Sequence, residues 1–167
     1  FRYCEQLQAK IVDVLQETGL PANKLDMEVT ESLLIDQGHS LMEMLSYLKQ
    51  LGVGLSIDDF GTGYSALSYL QKFPFTKLKI DRAFINKMTT SSSDESLVSA
   101  ILAMAKSLKL AVVAEGIEDE QQANFLEQHN CEYGQGYLFS RPIPAAEFTQ
   151  LLLDEQSKLS ANVQQQA

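Results

Sequence analysis

The sequence predicts an α/β fold with parallel strands, either an open doubly wound sheet or a barrel. Two kinds of segment alternate along it. Apolar residues recur at helical spacing in Leu7, Ile11, Val14 and Leu15, in Leu41, Leu45, Leu48 and Leu51, and in Leu97, Ile101, Met104 and Leu108. Short apolar runs read as strands over residues 25–29, 53–58, 78–81, 110–115 and 134–139. A strand follows nearly every helix, and repeated alternation of this kind joins parallel strands through helical crossovers. Two further helices are expected over 119–129 and 144–154. Residues 89–93 are polar and read as a loop, with Asp94 as the cap of the helix that follows. Residues 1–155 read as one domain and 156–167, rich in Gln and Asn, as a flexible tail.

Composition narrows the function classes. The chain has 167 residues, 45% hydrophobic and 21% charged, which suits one globular domain. Thirteen Lys and Arg against twenty-two Asp and Glu give a net charge of −9, which disfavours a nucleic-acid polymer or an anionic membrane surface as partner. A phosphate-bearing partner would need a metal cation between it and the protein. Cys4 and Cys131 stand alone without metal-ligand spacing, which fits a reducing compartment, the cytoplasm by default. No apolar run reaches the length of a membrane span. The chain opens at Phe1, without an initiator Met, directly before an amphipathic pattern; the expectation is a piece of a longer protein.

Side chains alternate across a strand, so each strand can be sorted into two faces. Leu25, Met27 and Val29 share one face of the first, leaving Asp26, Glu28 and Thr30 on the other. The second opposes Val53, Leu55 and Ile57 to Gly54, Ser56 and Asp58; the third opposes Leu78 and Ile80 to Lys77, Lys79 and Asp81. The fourth places Glu115 with Ala111 and Val113. Every one of these strands thus aims an ionisable residue at a common interior near its C-terminal end: Glu28, Asp58, Lys79 and Glu115. In barrels that end carries the active site. Asp58 and Asp59 are adjacent and reach one site only if the backbone bends, for which Gly61 and Gly63 supply the freedom. Converging carboxylates repel one another, and a hard divalent cation such as Mg²⁺ or Mn²⁺ relieves that and can clamp a phosphoryl group for in-line displacement. Lys79 or Glu115 would then orient or deprotonate the attacking water.

Each residue also has a plainer reading. Asp58 or Asp59 alone suits a turn or cap, Glu28 an ion pair with Lys79, and Glu115 the cap of the next helix. Arg141 before Pro142 serves a loop as readily as a phosphate, and His39 and His129 read as solvated helix-surface residues. Gly61 and Gly63 lack the spacing and the lysine of a nucleotide-binding loop.

Five short motifs occur in order: Glu28-Val-Thr-Glu-Ser32, Asp58-Asp-Phe-Gly-Thr-Gly-Tyr64, Lys79-Ile-Asp81, Ala114-Glu-Gly-Ile-Glu118 and Gln135-Gly-Tyr137, followed by Ser140-Arg-Pro142. In this order the chain, up to about Leu153, resembles the EAL-type cyclic di-GMP phosphodiesterases. The resemblance implies a (β/α)₈ barrel with one antiparallel strand, here a partial barrel of about the last five βα units. It implies hydrolysis of cyclic di-GMP to linear pGpG in bacterial second-messenger signalling. Glu28, Asp58 and Asp59 match metal ligands, with Asp58 bridging two ions of Mg²⁺ or Mn²⁺. Lys79 and Glu115 match residues that position or activate the water, and Gln135 a residue of the metal and water shell. Glu31 matches a carboxylate that steadies the loop after Asp59, linking catalysis to dimerisation.

The Glu-Ala-Leu segment that names the family, and a strand bearing a metal-binding Asn, normally precede the first helix seen here. On the resemblance, two metal ligands therefore lie outside this chain. A partial barrel has unpaired strand edges, so a homodimer or a segment-swapped association is expected. The second reading, in a different class, is an inactive domain that serves as a cyclic di-GMP receptor or a protein-docking module. An upstream domain that tethers the parent protein to a membrane is compatible with both.

Overall fold

The computed structural model describes residues 2–36, 38–61, 67–89 and 91–165. Five strands form one sheet: β1 (Asp26–Thr30), β2 (Gly54–Phe60), β3 (Lys77–Ile80), β4 (Ala111–Glu115) and β5 (Tyr133–Gln135). All neighbouring pairs are parallel and the spatial order is the chain order. A doubly wound sheet reverses its strand order part-way. Sequential order without reversal is the winding of a barrel, which decides between the two architectures the alternation left open. β1 and β5 are the edges of the described sheet.

Eight α-helices are described: α1 (Arg2–Thr18), α2 (Glu31–Asp36), α3 (Gly38–Gln50), α4 (Leu67–Lys72), α5 (Arg82–Met88), α6 (Ser92–Ser107), α7 (Glu120–Gln128) and α8 (Ala145–Gln165). The apolar face of the sheet and the apolar stripes of the helices make one core. Val29, Leu55, Ile57, Leu78, Ile80, Val112 and Ala114 come from the strands, Leu41, Leu45 and Leu48 from α3, and Val98, Ile101 and Leu102 from α6. Burying each large side chain stabilises the fold by about 1.5–3 kcal/mol relative to exposure, so this face fixes which way every strand points. The opposite face, with Asp26, Glu28, Ser56, Asp58, Lys77, Lys79 and Glu115, is thereby turned inward.

Several boundaries differ from the sequence reading, each for a local reason. The third strand ends at Ile80, because Asp81 leaves the ladder to cap α5, its Oδ1 accepting from the Ala83 amide at 2.8 Å. α6 is capped by Ser91, whose Oγ accepts from the Asp94 amide at 3.3 Å; Asp94 lies inside the first turn. The fifth strand covers Tyr133–Gln135 and stops before the expected 139. At Gly136 the chain turns against residue 117: a Cβ there would lie 2.1 Å from the Ile117 carbonyl oxygen, and the Leu138 amide donates to that oxygen. α8 continues to Gln165 through residues expected to be a tail, a stretch with no Gly or Pro to stop it. Val14, Leu51 and Leu97, expected on buried faces, are exposed; α3 ends at Gln50, one residue before Leu51.

Candidate functional site

Lys79 is the centre of the inward face. Its side chain is 8% exposed, and Nζ lies 2.8 Å from Glu28 Oε2, 2.8 Å from Glu115 Oε1 and 3.2 Å from Asp58 Oδ1. The four residues predicted to meet near the strand ends are thus brought together, from four different strands. The plain reading of Glu28 as a partner of Lys79 is part of this arrangement, whereas the helix after β4 is not capped by Glu115: α7 is capped by Asp119 in a capping box with Gln122. Burial alone would push the Lys79 ammonium down. Hydrogen bonds to Glu115, Glu28 and Asp58 and the charge of Glu115 outweigh burial and hold it above the usual lysine range.

The adjacent aspartates are accommodated by a β-bulge. Ser56 pairs with Lys77, Ile57 with Leu78 and Phe60 with Ile80, so Asp58 and Asp59 together occupy the place opposite Lys79. Asp59 has φ 55°, in the left-handed region that aspartate tolerates better than most residues, and its amide donates to Asp58 Oδ1 at 3.0 Å. The bend therefore sits at Asp59 itself, within β2, ahead of the glycines expected to supply it. Gly61 follows with φ 95°, and a Cβ there would come within 3.0 Å of the Phe84 ring. Thr62, Gly63 and Tyr64 lie outside the described residues. Partial burial raises the Asp59 carboxyl above its usual range, helped by the neighbouring charges of Asp58 and Asp81 and a hydrogen bond with Asp81, against the opposing pull of Lys79.

Glu31 begins α2 and is buried, with 3% exposure; its Oε2 accepts from the Gly61 amide at 3.2 Å and so ties the turn after Asp59 to the helix after β1. Gln135 pairs with Glu115 across the β4–β5 ladder and is exposed. Beside it opens a cleft of about 410 Å³ lined by Asp59, Asp81, Arg82, Glu115, Gln135 and Tyr137 among others, a volume in the range of small-molecule sites. Arg82 was not singled out in the sequence, and Asp81 only as an inward residue and as the end of the Lys79-Ile-Asp81 motif. The signal was there: an acid directly after a strand that carries an inward lysine is well placed to cap the next helix at the mouth of the site. Arg141 stacks on Tyr137, its guanidinium carbon 4.5 Å from the ring centroid. His129 is exposed but not merely solvated: its Nδ1 lies 2.8 Å from the Phe125 carbonyl oxygen and its ring stacks on Phe125. The side chain of His39 lies outside the described residues.

A second inward cluster lies nearer the start of the strands. Lys77 pairs with Asp26 Oδ2, and Ser56 Oγ donates to Asp26 Oδ1 at 2.6 Å.

The sequence model of the EAL domain family matches residues 3–142. The chain belongs to the EAL domain family. Among curated relatives it is 48% identical over 149 residues to the cyclic di-GMP phosphodiesterase NbdA of Pseudomonas aeruginosa, an alignment covering 87% of this chain and 19% of NbdA. The chain thus spans about a fifth of the length of such curated relatives. Among solved structures it is similar to the EAL domain of Mycobacterium smegmatis DcpA, with a TM-score of 0.83 and 38% identity over 88% of this chain and 66% of that one. It is also similar to Klebsiella pneumoniae BlrP1 in a manganese and cyclic di-GMP complex, with a TM-score of 0.75 and 34% identity over 80% of this chain and 34% of that one. The parallel five-stranded sheet is accordingly part of an EAL-type barrel.

The EAL inward face has the chemistry of a hard-cation site. Its donors are carboxylate oxygens, the ligand type that suits Mg²⁺, Mn²⁺ and Ca²⁺. Among the described residues no three His, Cys, Asp or Glu side chains are gathered tightly enough to hold an ion alone. The donor type fits a divalent cation, and the number falls short of a full cage. Neither Cys4 nor Cys131 forms a disulfide. Among the described residues no helix is long and apolar enough to cross a membrane.

Proposed function

We propose that this chain supplies the metal-holding side of a site that hydrolyses cyclic di-GMP to linear pGpG in the cytoplasm of a bacterium. One observation carries the reading: the β2 bulge sets Asp58 and Asp59 opposite Lys79 and beside Glu28 and Glu115, in a chain of the EAL family. The similarity to the cyclic di-GMP phosphodiesterase NbdA and to BlrP1 in its manganese and cyclic di-GMP complex supports it.

Glu28, Asp58 and Asp59 would hold a divalent cation, Mn²⁺ or Mg²⁺, Asp58 would contribute to a second ion as well, and the remaining ligands would come from outside this chain. When bound, the cation would polarise the phosphoryl oxygen and lower the pKa of a water. Lys79 has donors only, so it orients the water or a phosphate oxygen and cannot take a proton while charged. Glu115, 2.8 Å from that ammonium, would accept the water's proton. Formation of pGpG requires a bond from the water oxygen to phosphorus and loss of the bond from phosphorus to the 3′ oxygen, which leaves as an alcohol after gaining a proton. Gln135, on the rim of the cleft with Glu115, would hold solvent in place, and Glu31 would keep the turn at Gly61 fixed behind Asp59. Two copies, through the open sheet edges at β1 and β5, would associate as a homodimer or exchange segments.

The test is hydrolysis of cyclic di-GMP with Mn²⁺, by this chain and by a form extended at its N-terminus, each beside Glu28→Gln. Turnover that Glu28→Gln abolishes supports the proposal. Binding of cyclic di-GMP without turnover in every form would replace it with a receptor, and unchanged turnover in Glu28→Gln would remove Glu28 from the site.

A further inference from the structure

The inward face carries two layers built to the same plan. The lower has an acid on β1, Asp26, an oxygen-bearing side chain on β2, Ser56, and a lysine on β3, Lys77. The upper has Glu28, Asp58 and Lys79 on the same strands, each two residues further along. The register is Asp26 to Gly54 and Glu28 to Ser56 between β1 and β2, and Ser56 to Lys77 between β2 and β3.

This repetition creates a problem that the sequence pattern alone does not solve. A slip of one residue would turn every side chain to the wrong face, which core burial forbids. A slip of two residues keeps all faces. With acid-x-acid on β1 and Lys-x-Lys on β3, it also sets an acid against a lysine again. One direction would put Asp26 beside Lys79 and carry Glu28 past it; the other would bring Glu28 down to Lys77. Both would take Glu28 out of the site.

We infer that Asp26, Ser56 and Lys77, together with Gly54, are a positioning layer that selects the one register in which Glu28 meets Lys79. Three features hold Asp26 in the lower layer. Gly54 leaves the room: a Cβ there would lie 2.7 Å from Asp26 Oδ2 and 3.0 Å from its Cγ. Ser56 holds Oδ1 at 2.6 Å, and Lys77 takes Oδ2. Glu28 has Ser56, not a glycine, opposite it in the register and reaches on to Lys79 at 2.8 Å. The layer's consequence for turnover rests on the proposed function; its consequence for register does not.

The experiment reads register directly, by backbone nuclear Overhauser contacts between β1 and β2 in the isotope-labelled chain. The variants are Lys77→Met, Gly54→Ala and the exchange Asp26→Lys with Lys77→Asp. The single variants are expected to give a second set of contacts, displaced by two residues, or to lose the β1–β2 contacts altogether. The exchange, which restores the pair and removes the acid-x-acid repeat, is expected to return the native set. Where turnover is measurable, it should fall at least about tenfold in the single variants and recover to within about threefold in the exchange, as a displaced reacting group implies. One native set of contacts in both single variants would overturn the inference, as would an exchange that restores neither contacts nor fold. Absence of turnover in the N-terminally extended form as well, with the expected contacts present, would sink the proposed function and leave the positioning layer standing.

Discussion

Replacing Lys79 by methionine removes an ammonium while keeping an unbranched side chain of similar length. What remains are three carboxylates that met around it, with Asp58 and Glu115 each 20% exposed and Glu28 51% exposed. Breaking a buried ion pair on one side costs about 3–5 kcal/mol, because the partner stays behind without compensation. Glu28 is half in water and adds little to that cost. The lower end, about 3 kcal/mol, is therefore expected, which for a domain of this size lowers Tm by roughly 6–12 °C. Thermal unfolding followed by circular dichroism at neutral pH and low salt measures it. Adding Glu115→Gln to Lys79→Met removes one of the stranded charges and should return part of the loss. A Tm within about 2 °C of the parent for Lys79→Met would refute the reasoning, since breaking a coupled buried ring cannot cost so little.

The same lysine gives a pH prediction. Its folded pKa is raised, so its contribution is complete below the unfolded value of about 10.4 and is lost as pH rises through the folded value; alkaline titration should therefore destabilise the parent more steeply than Lys79→Met. Glu31→Ala leaves the Gly61 amide without its acceptor and should cost about 1–3 kcal/mol, with faster hydrogen exchange at Gly61; unchanged exchange there would show that the tie is not made in solution. Gly136→Ala drives a Cβ into the Ile117 backbone and should cost about 3 kcal/mol or release β5 from β4, read as lost protection of the Ile117 amide, which donates to Gln135. Burial pushes the Cys131 thiol up, and it lies 3.4 Å from the Tyr133 carbonyl oxygen. Iodoacetamide should modify it more slowly at neutral pH in the folded chain than in urea, and equal rates would contradict the burial.

Strand faces were legible because burial sorts residues with a period of two, and Leu55, Ile57, Leu78 and Ile80 leave no other choice of face. The convergence of Glu28, Asp58, Lys79 and Glu115 followed from that sorting. Less legible was everything set by single backbone positions. The bulge at Asp58 and Asp59 depends on one residue with positive φ, which no periodicity marks. Helices α2, α4 and α5, six, six and seven residues long, are too short for a repeating apolar stripe to stand out. The early end of β5 depends on Gly136 meeting the backbone of Ile117, a contact between segments that only the fold brings together. The layer of Asp26, Ser56 and Lys77 was visible as three inward residues, but its pairing across β2 needed the register.

The most direct test of the site is the dependence of cyclic di-GMP hydrolysis on added Mn²⁺, with pGpG separated by chromatography, in the N-terminally extended form and its Asp58→Asn variant. The proposal predicts pGpG that requires Mn²⁺, disappears with a chelator and falls at least about a hundredfold in Asp58→Asn. Production of pGpG at the parental rate by Asp58→Asn, or without any divalent cation, would contradict it.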